Sequence, residues 1–350
     1  MQGSIESASV QRVQSLLPAT LQDAPIFADR LVKVYGEAMS CLICERLSHP
    51  FALTYWCNPL RSSEFEPVGR ELCLPGLYTV ERDAGLTHHP AAERGEIYFQ
   101  NPSSYFAVWV LQPQADEEVL DMAAAPGGKT IAMAAAMGNT GRIAAVEPVR
   151  GRFHRLQANL QRCGVTNTKL YQKDGRGLGR VVPERFDRVL LDAPCSSEAR
   201  MRWSQPASFS HWTQRKVKEA QRKQKSLLRA AYAALKPGGI LVYCTCSLGI
   251  EENEAVVAHL LKRTDARLCL IDTTGLDAIP LMTSPGVPDR SLPERLEDEG
   301  GAKQAPSGTA ERRQHKGHSD ELQRAISHGV RIVPDSPWDG FFVTKIRKPA

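Results

Sequence analysis

The chain has 350 residues, 42% hydrophobic and 24% charged, with no run of 18 apolar residues. That is room for two domains or three small ones, too much apolar material for a disordered chain, and no helical membrane span. The formal charge of +5 conceals a division: residues 141–236 carry 21 Lys/Arg against 7 Asp/Glu, a net of +14, and the remainder carries −9.

A basic block in an otherwise acidic chain fits a polyanionic partner such as nucleic acid. Solvated helix faces rich in Lys and Arg produce the same count, and charge alone leaves both readings open. The N-terminus, MQGSIESASVQRVQSLL, lacks the basic and apolar regions of a secretory signal. Residues 1–25 are polar and are expected to be a loosely ordered, flexible N-terminus. Residues 27–48 repeat apolar side chains at helical spacing, with Leu31, Val34, Tyr35, Ala38 and Leu42 as the face. His49 to Gln100 is rich in Pro, Gly and aromatics with short strand-like pieces, so 26–100 reads as a small α+β domain.

From Val119 the pattern changes. EVLDMA (118–123), RIAAVE (142–147), KLYQKD (169–174), RVLLDA (188–193), ILVYCTC (240–246) and RLCLID (267–272) are candidate buried strands, with helical patterns at 149–163, about 211–236 and 251–262. Alternation of this kind predicts an α/β fold for 101–350, a doubly wound, mostly parallel sheet. Ligands of such sheets bind beyond the carboxyl ends of the strands. Residues 289–324 interrupt the pattern with 8 acidic and 7 basic side chains and no aromatic, as a solvated, flexible insertion would. GFFVTKI (340–346) reads as a last strand.

Nine cysteines without a framework spacing suit reduced thiols in the cytoplasm. Cys73, Cys163 and Cys269 read as small buried hydrophobes. Cys41 and Cys44 form a CxxC on a helical stretch with no second pair, so no metal is expected. Cys244 is expected to face away from Cys246.

The first strand runs into AAAPGGKT (123–130), where a glycine pair opens a helix and brings backbone N–H groups toward a ligand. The segment nearly satisfies the phosphate-loop pattern, and VLLDAP (189–194) could serve a nucleotidase as its magnesium strand. Against this, Ala123 replaces the first glycine and Pro126 interrupts the loop. Glu147 closes the second strand, where a carboxylate accepts from ribose hydroxyls. The later strand ends carry Asp192-Ala193-Pro194-Cys195 and Thr245-Cys246-Ser247, and phosphoryl transfer does not use thiols.

Two thiols and a carboxylate beside a nucleoside cofactor suit a different reaction. Cytosine C5 is a poor nucleophile until a thiolate adds to C6 and makes C5 electron-rich enough to attack a methyl group. That chemistry needs a nucleophilic Cys, an acid near ring N3 and a base to remove the C5 proton.

Together LDMAAAPGGKT, VEPVRGRFHRLQANLQRCG, KDGRG, LLDAPCS, LKPGGILVYCTCSLGIEENEAVV and DGFFVTKI resemble the RsmB/RsmF/NSUN (Nop/Sun) family of RNA 5-methylcytosine methyltransferases, over about 98–275 and 331–348. The resemblance implies a class I, Rossmann-like S-adenosylmethionine-dependent methyltransferase. Ala123, Ala124, Ala125, Pro126, Gly127, Gly128 and Lys129 would form the cofactor loop. Glu147 and Arg152 would serve the ribose, Asp174 the adenine, and Asp192 both cofactor and base. Cys246 would be the nucleophile and Cys195 the thiol that assists release. The implied partner is RNA; a compact chain of this kind is expected to act on ribosomal RNA first and transfer RNA next, and as a monomer. A non-catalytic RNA-binding scaffold remains an alternative. HWTQRKVKEAQRKQKSLLR (211–229) could hold phosphates, with His211 and Trp212 to stack on bases. Departures are Ser197 where the family usually has Gly, the continuation SSEARMRW (196–203), and ALTYWCNPLR (52–61) in place of the family's basic docking segment.

Overall fold

The computed structural model describes residues 2–22, 25–62, 64–81, 85–283 and 320–350. Polar residues dominate the first stretch, yet helices α1 (Gln2–Ser15) and α2 (Ala19–Gln22) form there. Val13, Leu17 and Leu21, spaced four apart, are fully buried, and one such apolar stripe is enough to dock short helices on a larger core. The expectation of a loose terminus is corrected accordingly.

Helix α3 (Pro25–Leu47) follows. Leu31, Val34 and Tyr35 are buried as expected, but Ala38 is exposed and Leu42 half-buried. Gly36 leaves the helix at φ 72, ψ 171, a conformation open to glycine. The kink rotates the stripe, so Ser40, Ile43, Cys44 and Leu47 point inward beyond it.

Strands β1 (Leu53–Cys57), β2 (Arg70–Glu71), β3 (Leu77–Val80) and, after helix α4 (Pro90–Arg94), β4 (Ile97–Phe99) make an antiparallel sheet in the order β2-β3-β1-β4. Tyr55, Leu86, Ala91, Ala92 and Ile97 form its core. Helices α1–α3 share a core with the large sheet instead.

The large sheet grows from alternating units: α5 (Pro102–Leu111), β5 (Glu118–Asp121), α6 (Gly128–Ala136), β6 (Arg142–Val146), α7 (Arg150–Arg162) and β7 (Thr168–Tyr171). Then come α8 (Leu178–Val181), β8 (Phe186–Asp192), α9 (Gln214–Ala234), β9 (Leu235–Thr245), α10 (Glu254–Leu261), β10 (Arg267–Cys269) and β11 (Leu281–Thr283). Helix α11 (320–328), β12 (Val330–Ile332) and β13 (Phe341–Arg347) complete the chain. Five strands run parallel in the order β9-β8-β5-β6-β7. β13 lies antiparallel to β9, and its other edge pairs with β12 and β10. Helices α5–α7 cover one face; α8, α9, α10 and α11 cover the other. The winding reverses between β5 and β8, so the loops after these two strands border one crevice.

RLCLID departs from expectation: only Arg267–Cys269 is strand, on an antiparallel edge, and Leu270 is 77% exposed. Most of the expected polar insertion, 289–319, lies outside the described residues. Its last five residues, 320–324, open α11, which buries Ala325 and Ile326. Among the described residues no helix is long and apolar enough to cross a membrane.

Candidate active site

Parallel pairing of β8 with β9 sets Asp192 opposite Cys244. Beyond that rung both strands end, and Cys195 and Cys246 meet with their Sγ atoms 3.2 Å apart, both as free thiols. Two thiolates this close repel, so one sulfur keeps its proton and donates it to the other. The surroundings favour Cys246 as the acceptor. The Cys195 hydrogen bond pulls its pKa down against the cost of burial, helped by Arg200 and the Ser197 hydroxyl. Cys195 is pushed well up, by that same bond and then by burial.

Asp192 lies beside the pair. Its Oδ2 accepts from Lys129 Nζ at 2.6 Å, and the same ammonium donates to Ser104 Oγ at 3.2 Å. Burial alone would lower the lysine's pKa, but Asp192 outweighs it and the pKa is raised. Lys129 is thus committed to a carboxylate rather than extended along a phosphate cradle. Cys244, expected to face away, sits on the site's side of the strand with Sγ 3.8 Å from Asp192 Oδ1. Side chains alternate with a period of two, so 244 and 246 share a face, and Tyr243 packs in the opposite core.

Two buried carboxylates hold the thiol loops. Glu198 accepts from Arg30 Nη1 at 2.5 Å, Trp212 Nε1 at 2.8 Å, Ser247 Oγ at 3.1 Å and the backbone N–H groups of Leu248 and Gly249. Trp212 is therefore buried structure, not a stacking surface. Glu252 accepts from Ser196 N–H at 3.0 Å and Gln224 Nε2 at 2.8 Å, and bonds Ser247 Oγ at 3.0 Å. Burial, then the nearby Glu198 charge, pushes its pKa up to about 7.

On the other side of Asp192 a cavity of about 220 Å³ opens, walled by residues 98–101, Ala123–Pro126, Gly128, Lys129, Arg152 and Arg200. Arg152 Nη2 donates to Ala125 O at 2.8 Å and Asn159 Nδ2 to Pro126 O at 2.9 Å, fixing the loop against α7. Gly127 takes φ 118 at the start of α6. At Gly128 a Cβ would come within 2.4 Å of Gln100 Oε1 and 2.9 Å of a Tyr98 ring carbon, so a side chain there would displace the Gln100 amide. Glu147, at the end of β6, accepts from Val149 N–H at 2.9 Å and lies 3.6 Å from Arg152 Nη1. Asp174 caps the turn after β7 and is chelated by Arg176 at 2.6 and 3.0 Å. It is exposed and outside the cavity wall.

The site thus unites Ala123–Lys129, Arg152, Asp192, Cys195 and Cys246, with Glu147 adjoining through Arg152. Sequence reasoning missed Gln100, Ser104 and Arg200, which come from segments without a chemical motif. The Gln100 Nε2 donor is buried and has no partner among the described residues, although it stands at the cavity wall. An unused amide donor, a glycine-dependent main-chain cradle and a carboxylate–arginine rim fit a nucleoside with a zwitterionic side chain, as S-adenosylmethionine is.

Loop, switch point and closing carboxylate together define the chain as a class I methyltransferase by fold, the class whose cofactor is S-adenosylmethionine. It belongs to the 16S rRNA methyltransferase RsmB/F family, whose model matches residues 108–347. A tRNA (cytosine(49)-C(5))-methyltransferase of Pyrococcus abyssi is 41% identical over 275 residues, covering 78% of this chain and 77% of that protein. Ribosomal RNA small subunit methyltransferase F of Vibrio parahaemolyticus is 48% identical over 264 residues, covering 73% of this chain and 53% of that protein. The chain spans about half the length of such methyltransferase F relatives. A solved methyltransferase homolog protein from Pyrococcus horikoshii superposes with TM-score 0.72 at 30% identity, over 95% of this chain and 99% of that one. The nucleotidase reading has no remaining support.

Proposed function

We propose that this protein transfers a methyl group from S-adenosylmethionine to C5 of a cytosine in RNA, with ribosomal RNA the first candidate and transfer RNA the second. The observation that carries the reading is the Cys195–Cys246 sulfur pair, close enough to Asp192 to feel its charge. Ala123–Lys129 and Arg152, with Glu147 adjoining, would hold the cofactor, which supplies an electrophilic methyl group when bound; Asp174, outside the cavity wall, would serve its adenine at the rim.

The chain's own groups do the rest. Cys246, the sulfur with the lowered pKa, forms a bond to C6 of a cytosine turned out of its stack. As charge moves into the ring, N3 takes up a proton that hydrogen-bonds to the Asp192 carboxylate, itself held by Lys129, and N3 loses that proton again on elimination. C5 now carries electron density that would form a bond to the methyl carbon as the cofactor's methyl–sulfur bond breaks and its electrons leave on the neutral thioether sulfur. A base at the site then takes the C5 proton, the C6–S bond breaks and its electrons return to Cys246. Cys195 assists by donating its S–H hydrogen bond to that departing thiolate. Splitting the substitution into addition and elimination replaces one hard step with two easier ones.

Arg215, Lys216, Lys218, Arg222 and Arg229 are exposed on α9, and support phosphate contacts there. Residues 26–100 would add an RNA-docking surface to the methyltransferase unit of 101–350. Free thiols throughout suit the cytoplasm, and the chain is expected to act as a monomer.

The test is labelled methyl transfer to total RNA separated into ribosomal and transfer fractions, followed by nucleoside analysis. Label in 5-methylcytosine supports the reading; label confined to another nucleoside, or none, rejects it.

A further inference from the structure

The loop after β8, which carries Cys195, contains an unusual backbone choice. Ser197 adopts φ 59, ψ 29, left-handed geometry that costs an L residue about 1 kcal/mol or more relative to glycine. Its hydroxyl oxygen lies 3.6 Å from Cys246 Sγ and 3.9 Å from Cys195 Sγ. With Cys246 protonated its S–H donates to Ser197 Oγ, and the contact with Cys195 can run either way; once Cys246 gives up its proton, the Ser197 O–H is the group left to donate to that sulfur. Strain kept at such a point indicates a role for the side chain it positions.

We propose that Ser197 is a further catalytic residue: its hydroxyl holds Cys246 as the thiolate and so sets which of the two sulfurs attacks. Its neighbourhood agrees with an anion at Cys246. The flanking Ser196 is pinned by its own N–H to Glu252, and its hydroxyl donates to Ser247, so the loop cannot carry Ser197 away without breaking buried bonds. Arg200, three residues on, adds positive charge whose pKa is raised first by Cys246. Cys195 is raised by its hydrogen bond to Cys246, by burial and then by Glu252, while Asp192 raises both sulfurs. One hydroxyl also serves two stages. While Cys246 is a thiolate, Ser197 donates to it; while Cys246 is bonded to C6 and a poor acceptor, the same O–H can turn to Cys195. No proton leaves Ser197 in either arrangement, so the balance of the addition and elimination steps is unchanged.

This inference rests on the assignment of Cys246 as nucleophile, and its test does not need methylation. Site-resolved alkylation of the full chain by iodoacetamide, across pH and without RNA or cofactor, reads each thiol's apparent pKa by fragment mass spectrometry. Two variants remove the hydroxyl with opposite effects on the backbone: Ser197→Ala keeps the left-handed strain and Ser197→Gly relieves it. A hydrogen bond to an anion implies that both raise the Cys246 pKa by about one unit, with about tenfold slower alkylation at neutral pH. In turnover, kcat should fall by a similar factor with little change in KM for RNA. An unchanged Cys246 pKa in both variants overturns the proposal, as does a shift in Ser197→Ala alone, which would mark displaced backbone. If the pKa moves but a Cys246→Ala protein still methylates RNA, the Ser197 contact stands and the nucleophile assignment fails.

Discussion

Replacing Arg30 by Met removes the charge that ties helix α3 to the loop carrying Cys195. Arg30 is 8% exposed and its partner Glu198 1%, with Nη1 donating at 2.5 Å. Breaking one side of a buried ion pair costs about 3–5 kcal/mol, because the other charge stays buried without compensation. Glu198 keeps Trp212, Ser247 and two backbone N–H donors, which places the cost at about 3 kcal/mol. The second partner, Glu251, is one-third exposed and adds under about 1 kcal/mol. Equilibrium unfolding in urea at pH 7 measures the loss. Adding Glu198→Gln to Arg30→Met removes the stranded charge and should restore at least half of it. A loss below about 1 kcal/mol, or a double variant no more stable than the single, refutes the account of the pair.

Other expectations follow from the same geometry. Gly128→Ala should weaken S-adenosylmethionine binding about tenfold or more while leaving the fold intact, measured by calorimetry, since its Cβ meets the Gln100 amide. Glu252 has a folded pKa raised to about 7 from 4.5, so its contribution to stability is complete below pH 4.5 and is lost as pH rises through 7. Glu252→Gln should flatten that fall in thermal unfolding measured from pH 5 to 8. Arg215→Ala with Arg222→Ala on α9 should reduce the salt slope of RNA binding by about two, one for each phosphate no longer neutralised, in titrations from 50 to 200 mM salt.

The parallel strands, the glycine loop and the two cysteine motifs were legible because each is a local pattern with local chemistry. Strand ends carry ligands in a doubly wound sheet, so identifying β8 and β9 was enough to bring Cys195 to Cys246. What the sequence concealed depends on backbone choices or on tertiary partners. Nothing in the letters of α3 announces that Gly36 turns to φ 72 and rotates the buried stripe. Trp212 looked like an aromatic beside basic residues until Glu198 claimed its N–H. Strands β11 and β12 are three residues each and exist by pairing with a neighbour, not by periodicity. Cys244 is a different case: the period of two already placed it beside Cys246, and the expectation misapplied it. Gln100, Ser104 and Arg200 enter the site from turns and helices whose sequences carry no chemical signature.

If Cys246 bonds to the base and Cys195 releases it, removing either thiol must stop the reaction at a different point. Denaturing gel analysis of the full-length protein incubated with substrate RNA and S-adenosylmethionine tests this directly, comparing Cys246→Ala with Cys195→Ala. The account predicts no RNA adduct and no turnover for Cys246→Ala, and an accumulating protein–RNA adduct for Cys195→Ala. The opposite pattern would exchange the two roles, and unimpaired methylation in both variants would contradict the mechanism.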